Sequence, residues 1–127
     1  MDALCEYTGS AITGRILVPA SVSEFHGACA HVWLEDVSYA DRKAVVVGEV
    51  ALANVDHVPQ PDRAATELAF SIEAHMPIDP AHDYAVRVWI DRDSDGRAAS
   101  GDLWSDQSHR VLTRSFGSEV TITLTQR

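Results

Sequence analysis

The run Asp91-Arg92-Asp93-Ser94-Asp95-Gly96, closed by Asp102, sets carboxylates at positions 1, 3, 5 and 12 of a loop, with glycine at position 6. An oxygen cage for Ca²⁺ uses this spacing. Alternate side chains turn inward as the chain curls around the ion, and position 7, here Arg97, offers its backbone carbonyl. Gly96 permits the sharp turn that a residue with a Cβ resists. A plain solvated turn also favours Asp and Gly, but aspartates packed this closely repel one another, and a cation relieves that repulsion. Asp91, Asp93, Asp95, Arg97 and Asp102 are therefore the expected ligands of a structural Ca²⁺ ion. Mg²⁺ fits less well, because it holds its water and demands a tight octahedron.

The loop departs from a paired calcium sensor in three positions. Ala98 stands where a sensor carries a larger apolar residue, and Ala99 leaves its place to water. Asp102 is one methylene shorter than the usual bidentate glutamate. The segment before the loop also reads as a strand, not a helix. Together these features predict a lone site of modest affinity, on the order of 10⁻⁴ M, that opens no hydrophobic groove.

A second constellation lies on the strands. Trp33 and Trp89 take the outward phase of their segments, alongside His31 and Arg87. If those strands are neighbours, the four residues make an aromatic-basic patch. Trp and Arg are enriched at interaction hot spots, and an exposed aromatic face points to a partner or ligand. The opposite phase would place both tryptophans in the core. Stability distinguishes the two, since replacing an outward tryptophan with alanine leaves folding nearly intact.

The remaining chemistry is sparse. Six histidines, at 26, 31, 57, 75, 82 and 109, lack the short pair spacing of zinc sites and read as surface or turn residues. Cys29 and His31 share a strand face without a third partner that would orient a base. No phosphate-binding glycine loop, nucleophile elbow or paired acid and base is present. No enzymatic activity is expected.

The elements that must carry these residues are strands throughout. Period-two alternation runs through Ile12–Val18, Ala30–Leu34, Leu68–Ile72, Tyr84–Ile90 and Val120–Leu124. Ala44–Leu52 is a β-branched run too short for a comfortable helix, and His109–Thr113 is a further short candidate. Turn-forming stretches separate them: Ser38–Lys43, Val55–Arg63 with its two prolines, Pro77 and Pro80, and Gly117-Ser118. This pattern predicts an all-β fold, an antiparallel two-sheet β-sandwich of about seven strands, immunoglobulin-like or transthyretin-like. Residues 10–127 are expected to form the single sandwich domain, and 1–9 an N-terminal tail.

Bulk properties narrow the function. The chain has 127 residues, enough for one core without staples, and 46% of them are hydrophobic. The formal charge of -9 argues against non-specific binding to nucleic acid or anionic lipid. No stretch reaches the apolar length of a membrane span. Met1-Asp2-Ala3-Leu4-Cys5 lacks a basic start and an apolar run, so the chain as it stands reads as cytoplasmic, and as an envelope or secreted protein if a leader has been removed. Cys5 and Cys29 leave open whether they pair.

Several segments resemble the YbaY/YscW-type lipoprotein domain. They are Ile12-Thr13-Gly14-Arg15-Ile16, the strand and turn from Ala30 to Asp41, Pro77-Ile78-Asp79-Pro80 leading into Tyr84-Ala85-Val86-Arg87-Val88, and Val111-Leu112-Thr113-Arg114. The resemblance spans about residues 10 to 126. It implies a small β-sandwich without catalytic residues. Some members are anchored in the bacterial envelope, and one branch serves as a pilotin for the secretin of type III secretion. The departure is Cys5, which follows no apolar leader that would mark a lipid anchor. The expected function is a non-catalytic, calcium-binding module that docks another protein. The alternative is a calcium-assisted carbohydrate-binding or adhesion domain, in which the tryptophans hold a sugar.

Overall fold

The computed structural model describes residues 11–38, 43–93, 96–97, 101–105, 109–113 and 116–126. They contain β1 (Ala11–Pro19), β2 (Phe25–Asp36), β3 (Val45–His57), β4 (Ala65–Glu73), β5 (Tyr84–Asp91), β6 (Leu103–Ser105), β7 (His109–Val111) and β8 (Glu119–Gln126). The expected tail, 1–9, lies outside the described residues. Within them the chain is all-β, as its alternation predicts.

The arrangement of the strands differs from the expected sandwich. Hydrogen bonds link them in one continuous path, β3-β2-β5-β6-β8-β1-β4, with β7 on β5, so they do not separate into two independent sheets. The described strands number eight, the addition being β6, whose three residues are too few to show alternation in the sequence. All pairings are antiparallel except β1 with β8, which is parallel, Gly14 facing Val120 and Ile16 facing Ile122.

The sheet curls until its two ends nearly meet. At one end of the seam the His75 amide donates to the Val47 carbonyl at 2.8 Å. At the other, His57 Nδ1 and Thr66 Oγ1 lie 2.7 Å apart. Bulges in the β2–β3 ladder help the curl, since an extra residue bends its strand and increases twist. One lies between Phe25 and Ala28, where Gly27 takes φ 70°, and another on β3 before Val55, where Asn54 takes φ 56°. Asn tolerates that left-handed region better than most residues with a Cβ.

Inside the curl the even-numbered positions of several strands meet. Ile12, Ile16, Val32, Leu34, Val88, Ile90, Ile122 and Leu124 are all sealed from solvent. Gly14 belongs to this inward row and is kept bare by its neighbours. A Cβ there would stand 2.6 Å from Phe70 Cζ and 2.6 Å from the Val120 carbonyl oxygen. Gly14→Ala is thus an overpacking substitution, expected to lower stability by about 1–3 kcal/mol. A urea titration should show an earlier midpoint with an unchanged slope.

His57 corrects the sequence expectation of a surface or turn histidine. It is fully buried, with Nε2 2.9 Å from the Val22 carbonyl oxygen. Since that carbonyl can only accept, Nε2 donates, and Nδ1 accepts from the Thr66 hydroxyl. The ring ties the β1–β2 connection to the start of β4, and nothing in the local sequence distinguishes it from an exposed turn residue.

A polar clasp fastens the opposite end. The Asp36 carboxylate accepts from the Ser38 hydroxyl and amide and lies 2.7 Å from His82 Nδ1. The Ser38 hydroxyl oxygen in turn accepts from the Asp83 amide at 2.9 Å, and Asp83 meets Arg110 at 3.2 Å. Burial alone would raise the Asp36 pKa, but the two Ser38 donors and then His82 outweigh it and hold the group below its ordinary value. A depressed carboxylate contributes stability above the unfolded-state pKa and loses it as pH falls through the folded value. Ser38→Ala should therefore cost about 0.5–1.5 kcal/mol at neutral pH. Acid unfolding below about pH 4 should begin at a higher pH than in the parent, followed by circular dichroism.

Candidate functional site: an acidic loop joined to an aromatic ladder

Strand β5 carries both halves of the site. Its even positions, Val86, Val88 and Ile90, enter the core. The odd positions Arg87, Trp89 and Asp91 take the other face, and Asp91 ends the strand at the mouth of the acidic loop.

Asp91 is almost wholly buried, at 1% exposure. Its Oδ2 accepts from the Gly96 amide at 2.7 Å, drawing the loop back over the strand end. Gly96 has φ 79°, the left-handed turn its position requires. Asp91 Oδ1 is buried with no hydrogen-bond partner. Asp102, the closing residue, is equally buried at 1%. Its Oδ2 accepts from Trp89 Nε1 at 3.0 Å and its Oδ1 from the Arg92 amide at 3.3 Å. The Arg92 guanidinium reaches the Gly101 carbonyl at 3.4 Å, bracing the two arms of the loop.

Of the other expected ligands, Asp93 and Arg97 are exposed, and Asp95 lies outside the described residues, as do Ala98 and Ala99. Among the described residues no three His, Cys, Asp or Glu side chains already converge on one point. What they present is a pair of buried carboxylates at the loop's two ends. A buried charged oxygen is costly without a partner, and Asp91 Oδ1 requires a donor or a cation.

The structure brings the four residues of the aromatic-basic patch together. Strands β2 and β5 are neighbours, with His31 opposite Trp89 and Trp33 opposite Arg87. His31 stacks on Trp89 at 4.7 Å between centroids and on Trp33 at 5.7 Å, and the two tryptophan planes lie within 7°. Two members were not foreseen. Trp104 on β6 extends the ladder, 5.4 Å from Trp89, and Glu35 anchors its far end. Arg87 lies 4.3 Å over the Trp33 ring. It donates from Nε and Nη2 to the Glu35 carboxylate at 3.2 and 3.0 Å. The signal for Trp104 was its place two residues after Asp102, which β6 turns into the outward phase.

One part of the patch differs from its sequence expectation. Trp89 faces outward, yet only 8% of it is exposed, because His31 and Trp104 cover its ring. Trp33, His31 and Trp104 are half-buried. The indole N–H of the covered ring is the group that holds Asp102, so ladder and loop form one connected unit. Cys29, opposite Asp91 on the same face, is a half-buried free thiol.

The fold and this site define a small, curled all-β domain with an acidic loop at the end of its central strand. No family model matches the chain, including any for the YbaY/YscW-type resemblance, and no curated protein matches it. Among solved structures it is similar to an alternative pilotin from the type II secretion system of Vibrio cholerae. The TM-score is 0.69 with 22% sequence identity, over 93% of this chain and 96% of that one. At that identity the likeness shows a shared fold.

Proposed function

We propose that this protein is a non-catalytic accessory module, pilotin-like in role, which docks another protein and carries a structural Ca²⁺ ion in the loop from Asp91 to Asp102. The observation that carries the ion is Asp91 Oδ1, a buried carboxylate oxygen with no donor. It sits at position 1 of a loop whose spacing suits oxygen coordination. Asp91 and Asp102 would anchor the ion from the two arms of the loop, with Asp93, Asp95 and the Arg97 carbonyl completing the cage.

The docking role draws on the fold shared with a pilotin and on the face formed by Trp33, His31, Trp89 and Arg87. The stacking on that face favours a protein partner over a sugar. A sugar binds a tryptophan through the flat ring surface, and here the rings cover one another's surfaces.

The test is thermal unfolding in chelator and in increasing Ca²⁺. An ion bound only by the folded state raises stability as RT ln(1 + [L]/Kd). With Kd on the order of 10⁻⁴ M, 10 mM Ca²⁺ should add about 2.7 kcal/mol. An unchanged melting temperature in both would rule out the ion. Terbium luminescence sensitised through Trp89, whose indole bonds the closing aspartate, locates the bound ion independently.

A further inference from the structure

We propose that the seam between β3 and β4 receives an extended, basic segment of a partner protein as an added strand. These strands are consecutive in the chain and end the sheet on either side, yet they do not pair: β3 bonds to β2 and β4 to β1. They are pinned only at the seam's ends. His57 and Thr66 close one end. The His75 amide on the Val47 carbonyl closes the other, where Gly48 approaches so near that a Cβ would stand 2.5 Å from the Glu73 carbonyl oxygen. Between the pins, among the described residues, no hydrogen bond crosses from residues 49–56 to residues 67–72.

Unpaired edges of this length are a template for strand addition. Hydrogen-bonded neighbouring strands lie about 4.8 Å apart. A segment laid along the open stretch of β4 at that spacing bonds to its unpaired edge as an added strand. The free stretch of β4 takes a segment of about six residues, roughly 20 Å long.

The side chains along the seam specify the occupant. Val50, Leu52 and Leu68 are partly buried against the core and form an apolar floor for every second residue of the segment. The outward positions are small in the middle, at Ala51, Ala53, Ala69 and Ser71, all exposed. Around them stand the exposed carboxylates Glu49, Asp56, Glu67 and Glu73. Arg15 offsets Glu67 in part, at 3.6 Å, and His26 lies 3.5 Å from Asp56. The rim stays acidic in a chain of net charge -9. Apolar residues inward and lysine or arginine outward is the complementary pattern.

The inference rests on the protein-docking half of the proposed function and is independent of the ion. The probe is a synthetic octapeptide alternating lysine and valine, titrated in chelator and in Ca²⁺, with hydrogen exchange to locate it. Expected are saturable binding in both buffers and slowed exchange at amides in 49–55 and 67–71. N-methylation at alternate peptide nitrogens should abolish binding, and Glu49→Lys with Glu67→Lys, both at exposed positions, should weaken it about tenfold or more. No binding, equal binding of the N-methylated peptide, or equal binding of a glutamate-for-lysine peptide overturns the proposal. Protection confined to β2 and β5 overturns the seam and keeps docking at the aromatic ladder. A calcium-independent melting temperature overturns the ion alone.

Discussion

Trp89→Ala is expected to lower stability by about 3–5 kcal/mol, as for a large aromatic removed from a packed interior. Three losses coincide. The ring is 92% withdrawn from solvent by difference from its 8% exposure, and His31 and Trp104 both lose a stacking partner. Asp102 Oδ2, held at 3.0 Å by the indole N–H, loses that hydrogen bond. Trp89→Phe separates these effects: it keeps most of the ring and removes the N–H, with an expected cost of about 1–3 kcal/mol for the lost hydrogen bond to a carboxylate. Trp33→Ala should cost less than Trp89→Ala, because Trp33 is only half-buried. Urea titrations of the three variants give the ranking directly, and a Trp89→Ala midpoint equal to the parent's would refute the connection between ladder and loop.

Asp91→Asn is expected to act with opposite signs in the two ionic conditions. In chelator the substitution removes a buried charge whose Oδ1 has no partner. The asparagine carbonyl can still accept from the Gly96 amide, now 2.7 Å from Oδ2. Stability should hold or rise, because an isolated buried carboxylate costs free energy that a neutral amide does not. In Ca²⁺ the variant lacks the first anionic ligand, and the gain of about 2.7 kcal/mol at a hundredfold excess over Kd should disappear. Paired melting curves, with and without Ca²⁺, show both effects. Equal Ca²⁺ shifts in parent and variant would remove Asp91 from the cage, and a large loss in chelator would mean that its charge has a structural partner.

What the sequence made legible follows from the physics of each feature. Period-two alternation marked β1, β4, β5 and β8 because a strand with one buried face must alternate, and Ile12, Ile72, Ile90 and Ile122 are indeed interior. The same pattern says nothing of which strand lies beside which. A parallel partner for β1 leaves no local trace, and a continuous curl has the same alternation as two flat layers. The proximity of Trp33, His31, Trp89 and Arg87 followed from their shared phase, given adjacent strands. Burial of Trp89 did not follow, because it depends on Trp104, brought in by a strand of three residues. His57 was misjudged for a similar reason, since its hydrogen bonds come from Val22 and Thr66, distant along the chain. In the acidic loop the spacing singled out Asp91 and Asp102, and only the folded arrangement reveals that both are buried and that Asp102 also serves an indole.

The pairing of β1 with β8 sets the order in which the molecule can be built. As the chain emerges from the ribosome, β1 can zip to β4 once residue 73 is made, from Ala11 opposite Glu73 to Pro19 opposite Ala65. Its second edge stays open until the final strand arrives, because Thr13 to Leu17 are matched by residues 119–123. Contacts so far apart in sequence form slowly, and an open, apolar edge invites mispairing while it waits. The pairings of β8 with β1 and β6 can thus form only after every other described strand has been made.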